Sequence, residues 1–257
     1  MESRLQELDR ALAFMARVDE EAATEVREWS LGSAPITPEL PRVWDASYFR
    51  VERAGGGDGE RAGAESIEIS REAGLAHCAI VVTDDDIAAA LRPGLEAAGF
   101  EEVRFVLMAL REPPPAPAAA IEEASFADVA GSRHEITLEM FPGDEALARQ
   151  LGELDRRLEA TIGGRWFTVR EGDEVVSRAW LLWRDGVGQV EDVATSAAHR
   201  GGGLARAVVS AAALASGERG NDLTFVIADD GETTPELYRK TGFEPIGFKW
   251  RFVKRLT

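Results

Sequence analysis

The stretch Gln189-Val190-Glu191-Asp192-Val193-Ala194-Thr195-Ser196-Ala197-Ala198-His199-Arg200-Gly201-Gly202-Gly203-Leu204-Ala205-Arg206 decides how this chain is read. An apolar strand passes through a short turn into three glycines that open a helix. Glycines let a ligand approach the backbone, and the first helical turn leaves its N–H groups without intrahelical acceptors. Those donors and the helix dipole together form an anion site suited to a phosphate or diphosphate. Two nucleotide readings fail. A P-loop needs Gly-Lys followed by Ser or Thr, and neither residue follows Gly203. A dinucleotide fingerprint needs a further glycine where Arg206 stands.

Composition narrows the field. The 257 residues are 45% apolar, with six tryptophans and eleven phenylalanines, enough to pack one or two domains. A single cysteine, Cys78, excludes a disulfide framework and a cysteine-based zinc site, and is read as a core residue. The three histidines lack metal-ligand spacing, so no metal is expected. The net charge of −17 opposes nucleic-acid binding; it is read first as serving solubility, and attraction of cationic partners such as amines is the other reading. No apolar run is long enough to span a membrane, and the acid-studded N-terminus lacks a signal-peptide core. A cytoplasmic protein without membrane or nucleic-acid partners is expected.

Four prolines within residues 113–117 block helix and central strand. They divide the chain into residues 1–111, a Pro/Ala-rich linker at 112–119, and residues 120–257. In the first part, Leu5, Leu8, Leu12, Met15 and Val18 mark an amphipathic helix. Strands are expected at Tyr48–Glu52, Ser66–Ser70, Cys78–Val82 and Val103–Leu110, a glycine-rich loop tip at 54–60, and a helix near Ile87–Ala98. Asp84, Asp85 and Asp86 sit where a metal site or a helix cap is conceivable, and the helix start favours the cap.

In the second part, a helix at Asp144–Ile162 precedes strands at Arg165–Arg170, Val175–Trp183 and Gly188–Thr195, joined by turns at Gly172 and Gly186. A helix from Gly201 to Ser216, a strand at Leu223–Ala228, a helix from Pro235 to Lys240 and a strand at Ile246–Arg255 follow. The expected fold is α/β (α+β), a mixed, mostly antiparallel sheet with helices on both faces. Leu95 to Val103 echoes Tyr238 to Ile246, each a helix ending in Gly-Phe-Glu before a strand, which points to two tandem related domains.

Arg200-Gly201-Gly202-Gly203-Leu204-Ala205 resembles the acyl-CoA loop, [Q/R]-x-x-G-x-[G/A], of the GNAT superfamily of N-acetyltransferases. Leu237-Tyr238-Arg239-Lys240-Thr241-Gly242-Phe243 resembles that family's late L-Y-x-x-x-G-F segment, in the expected order. The resemblance covers about Ile121–Arg255. It implies acetyl-CoA as co-substrate, its diphosphate held by Arg200, Gly201, Gly202, Gly203, Leu204, Ala205 and Arg206. Its pantetheine would lie along the exposed backbone of Val193, Ala194 and Thr195, where the strand splays from its neighbour. Tyr238 corresponds to the tyrosine that protonates the departing thiolate. Asp229-Asp230 stands where many relatives place an asparagine. The first part has Leu95 in place of the tyrosine and no matching glycine signature, so it is read as a degenerate GNAT-like half or accessory domain.

An amine must lose a proton before it attacks, so a base is sought. Glu191 is the first candidate and Asp192 the second, because successive strand residues face opposite sides of a sheet; a carboxylate paired with a neighbouring arginine is the other reading. His199 is read as a loop residue near the phosphates, and Trp166, Trp180 and Trp183 as core or as an aromatic wall. The implied activity is transfer of an acetyl group to a primary amine of a small molecule or protein. The alternative is a non-catalytic acyl-CoA sensor or scaffold.

Overall fold

The computed structural model describes residues 2–53 and 59–256. Of the glycine-rich segment at 54–60, residues 54–58 lie outside the described residues. The chain forms two compact units, and neither follows the boundary expected at 112–119. The larger holds Met1–Met15 and Val106–Gly247, the smaller Ala16–Phe105 and Phe248–Thr257. The proline segment thus lies inside one unit. The physical reason is pairing: the last strand leaves the larger unit and completes the smaller one.

The smaller unit contains the later residues of helix α1 (Glu2–Ala22), then β1 (Glu25–Trp29), β2 (Gly32–Ile36), β3 (Phe49–Val51), α2 (Gly59–Glu72), β4 (His77–Val82), α3 (Asp85–Ala97) and the start of β5 (Glu101–Leu110). It ends with the second half of β11 (Phe243–Arg255), whose residues Trp250 to Arg255 pair antiparallel with Val82 to His77. β3 and β4 run parallel. Trp29, Phe49, Ile80, Leu95, Phe100, Trp250 and Phe252 fill its core, together with Cys78. Asp84 caps α3, its carboxylate accepting the Ile87 N–H at 2.9 Å.

Two sequence expectations are corrected in these regions, and one element is added. Ser66–Ser70 is helical, inside α2, because Ala62, Ser66 and Ser70 recur every four residues and all three are buried. The β1–β2 hairpin was not expected. In α1 the buried stripe is Ala11, Phe14, Val18 and Ala22, whereas Leu5 is exposed.

The larger unit continues with β6 (Glu122–Ala124), α4 (Phe126–Met140), α5 (Glu145–Thr161), β7 (Arg165–Glu171), β8 (Glu174–Arg184), β9 (Val187–Thr195), α6 (Leu204–Glu218), β10 (Leu223–Asp229) and α7 (Thr234–Arg239). Its neighbouring strands run β10-β9-β8-β7-β6, antiparallel except for β9 and β10. Helices cover both faces. Phe126 of α4 lies against Trp166 on one, and Ser216 of α6 meets Thr224 of β10 at 2.7 Å on the other. α6 sits so close that a Cβ on Gly188 would fall 2.2 Å from Ser216 Oγ. Early α1 joins this unit, with Phe14 set edge-on to Phe225 and Arg10 paired with Asp222 at 2.6 Å. Among the described residues no helix is long and apolar enough to cross a membrane.

Candidate active site

β9 and β10 are hydrogen-bonded in register from Val187↔Leu223 to Val190↔Val226, and there the ladder stops. Both strands continue, β9 to Thr195 and β10 to Asp229. On its other side β9 stays attached to β8 as far as Ser177↔Thr195. The edge of β9 that faces β10 therefore lies past the last pair of the ladder from Asp192 to Thr195.

A 3-10 turn at Ala197–His199 then leads to the glycines. Gly201 and Gly203 have φ of 83° and 81°, a left-handed backbone that a side chain disfavours. A Cβ on Gly201 would meet nothing within 4 Å, so open space lies above it. Gly203 is the N-cap of α6 and supplies no side-chain cap, so the first-turn N–H groups of Leu204, Ala205 and Arg206 are not capped from within. Arg206 is exposed, and its guanidinium lies 3.8 Å from where a Gly203 Cβ would be. It makes no ion pair among the described residues. An uncapped helix start, room above the glycines and an unpaired arginine fit a bound diphosphate.

Arg200 takes a different part. Its Nε donates to the Thr195 carbonyl at 3.1 Å and its Nη2 lies 3.8 Å from Glu139, turning the side chain back toward the strand end. His199 bridges Ser196, at 2.7 Å from its hydroxyl, and Glu171, at 2.6 Å. That arrangement braces the turn. The Asp229 carboxylate accepts the Gly231 N–H at 2.8 Å and so caps its own turn.

Tyr238 is buried at the end of α7, edge-on to Phe243 at 6.0 Å. Burial, and then the charge of Glu191, push its phenol well above the usual range. The two residues expected to act as acid and base are therefore electrostatic neighbours. Glu191 pairs across the sheet with Trp180 and accepts a hydrogen bond from Gln189.

Asp192 does not fit the role of second base. The register between β8 and β9 shifts between Arg178 and Trp180, so that Asp192 and Val193 stand opposite Ala179 alone, a β-bulge. Asp192 has φ of 44°, a left-handed conformation that costs a residue with a Cβ about 1 kcal/mol. Its carboxylate accepts from Arg178 Nε at 2.8 Å and Nη2 at 3.3 Å, and lies 3.5 Å from Arg133. Burial alone would raise this carboxyl, but Arg133 and Arg178 outweigh it and hold it below the ordinary range. The bulge also cancels the alternation assumed for the two acids: Glu191 stands opposite Trp180 and Asp192 reaches Arg178, two residues on one face of β8.

Arg133, Asp155 and Arg178 carried no signal at the sequence level beyond one anomaly, an arginine inside the apolar run Val175–Trp183. Trp166 and Trp180 are core residues, stacked at 4.7 Å and 9°. Trp183 packs under the guanidinium of Arg219 at 3.7 Å. Among the described residues no cluster of His, Cys, Asp or Glu is placed to hold a metal ion.

The parallel strands β9 and β10 thus part beside a helix opened by glycines. Residues 163–245 match the family model of the acetyltransferase (GNAT) domain. The chain resembles a functionally unknown conserved protein from Staphylococcus epidermidis (TM-score 0.69, 13% identity, 90% of this chain and 93% of the other). It also resembles a GCN5-related N-acetyltransferase from Kribbella flavida (0.63, 19%, 96% and 93%). A third similar structure is a tandem GNAT protein from the clavulanic acid biosynthesis pathway (0.56, 16%, 87% and 78%). At these identities the likeness is one of fold. No curated protein matches the chain in sequence.

Proposed function

We propose that the chain is an acetyl-CoA-dependent N-acetyltransferase of the cytoplasm, moving an acetyl group onto a primary amine of a small molecule or protein by direct attack. The observation that carries this reading is the end of the β9–β10 ladder at Val190↔Val226, beside an open, uncapped helix start. The first-turn N–H groups of α6 and Arg206 would hold the diphosphate of acetyl-CoA. The free edge of Val193, Ala194 and Thr195 would orient its pantetheine arm. Acetyl-CoA supplies an activated thioester; the protein supplies binding, orientation and proton movement.

In this reading Glu191 takes the proton from the substrate ammonium, directly or through a water. A backbone N–H on the open edge of β9 stabilises the negative charge that develops on the thioester oxygen. Tyr238 gives its proton to the leaving sulfur. The acid and base are coupled by charge. While Glu191 is ionised it keeps the phenol protonated; once Glu191 has accepted a proton that repulsion is gone, and Tyr238 becomes the stronger acid when the thiolate departs. The acidic surface, with a net charge of −17, favours the approach of cationic amines.

The test is thiol release from acetyl-CoA in the presence of a panel of small amines and peptides, with calorimetric binding of acetyl-CoA beside it. Amine-dependent release is expected. Binding without release from any amine turns the reading to a sensor or scaffold, and failure to bind overturns it.

A further inference from the structure

We propose that Arg178, Arg133 and Asp155 form a clamp on Asp192 that fixes the β9 bulge, and that Asp192 is a positioning residue for the acyl donor. The inference rests on the acetyl-CoA reading above and adds to it a set of residues that touch neither donor nor acceptor in that reading.

Two non-glycine residues have positive φ among the described residues, Asp185 and Asp192. Asp185 stands in the turn between β8 and β9, where such a backbone is ordinary. Asp192 stands inside a strand, and something must hold it there. Its carboxylate is gripped by both arms of the Arg178 guanidinium at 2.8 and 3.3 Å, with Arg133 at 3.5 Å. Arg178 is fully buried, and its remaining arm donates to Ser132 of α4 at 3.3 Å. Arg133 is fixed in turn by Asp155 of α5 at 2.7 Å and by the Thr137 hydroxyl at 3.2 Å. Two helices and one strand thus converge on one carboxylate. A two-pronged arginine grip specifies direction as well as distance, so it selects a single backbone path through Asp192.

Position along the strand gives the clamp its purpose. The last β9–β10 pair is Val190↔Val226, and the bulge follows two residues later. The torsion at Asp192 therefore sets the direction in which Val193, Ala194 and Thr195 leave β10. Those are the residues whose free edge would take the pantetheine arm. Without the clamp β9 would relax toward a regular strand, and that edge would lose the spacing a thioester needs.

The experiment compares Asp192→Ala and Asp192→Gly in the full-length protein, reading acetyl-CoA affinity by calorimetry and stability by thermal melting at the same pH. Both variants leave Arg178 and Arg133 without their carboxylate and should melt earlier than the wild type. Their affinities should part. Alanine disfavours a left-handed backbone and should weaken acetyl-CoA binding at least tenfold. Glycine adopts that backbone freely and should recover at least a third of the lost affinity. A purely structural role would lower both melting temperatures alike and leave both affinities within twofold of wild type, which overturns the inference while the acetyl-CoA reading stands. Equal weakening in the two variants also overturns it, because charge rather than backbone direction would then be at work. A wild-type protein that does not bind acetyl-CoA brings down both. If Asp192→Ala does not fold, Arg178→Lys, which keeps the charge and loses the two-pronged grip, is read by the same tenfold criterion.

Discussion

The two units repeat one plan with different outcomes. Each runs through an antiparallel strand pair, a third strand, a helix, a parallel strand, a second helix and a last strand. In each the second helix ends at a left-handed glycine followed by Phe and Glu, Gly99 with φ of 81° and Gly242 with φ of 93°. The difference lies in the third strand. In the smaller unit β3 has three residues, pairs with β4 at Phe49 and Arg50, and ends one residue later. The amides of Glu52 and Arg53 then both return to the Leu31 carbonyl, at 2.9 and 3.0 Å. In the larger unit β9 has nine residues and runs five beyond its last pair with β10. The shared plan does not by itself make a site; in the function proposed above, the overhang of one strand past its partner does.

The largest expected effect is at the matching helix positions. Tyr238→Phe should lower turnover by about a hundredfold or more with acetyl-CoA affinity within twofold, in the range for loss of a proton donor. Leu95, its counterpart in the smaller unit, is fully buried. Leu95→Ala should cost about 2–5 kcal/mol of stability and leave turnover per folded molecule unchanged. Single-turnover rates beside melting curves check both, and a rate loss from Leu95→Ala would break the comparison.

A smaller effect is expected at the arginines that follow the two third strands. Arg206→Ala should weaken acetyl-CoA binding about tenfold, as for a lost charge-assisted contact, and should reduce the salt dependence of that binding. Arg53, paired with Glu28 at 3.0 Å, should tolerate alanine with binding unaltered. Calorimetry at two salt concentrations reads both.

The smallest effect concerns pH, and here each unit holds a carboxyl raised by burial. Burial raises Asp155 to about 6 in the larger unit and Asp19 to about 6 in the smaller, the latter despite a hydrogen bond from Tyr48. The folded state of each holds its proton more tightly than the unfolded chain, whose ordinary value is 3.8. The stability this gives is fully present below the unfolded value and is lost as pH rises through about 6. Asp19→Asn should remove one of the two contributions, so that the fall in melting temperature between pH 5 and 7 shrinks by about 2–4 °C. A slope identical to wild type would show that Asp19 does not titrate there.

Much of this plan was legible in the sequence because its signals are local. Gly172 and Gly186 mark hairpin turns with left-handed backbones, Asp84 and Asp144 cap the helices they precede, and three glycines after an apolar strand announce the loop. What stayed hidden depends on distant partners. Ser66–Ser70 alternates like a strand over five residues and is a helix only within the longer Gly59–Glu72 period. Pro35 sits in β2, a strand without alternation that is buried throughout. The fate of Asp192 is set by Arg178 and Arg133 on two other elements, and the bulge they hold undid the assumption that Glu191 and Asp192 point apart.

The division of the chain ends between the units has a consequence for synthesis. The strand segment that pairs antiparallel with β4 is Trp250 to Arg255, and the smaller unit includes Phe248–Thr257. A ribosome makes residues 16–105 well before that strand, so they emerge early and wait, with one side of His77–Val82 unclaimed, until Trp250 to Arg255 follow. Cutting the gene at the proline segment would leave that side unclaimed for good. Deletion of residues 248–257 should therefore yield an insoluble product, although it removes none of the residues proposed to act in catalysis.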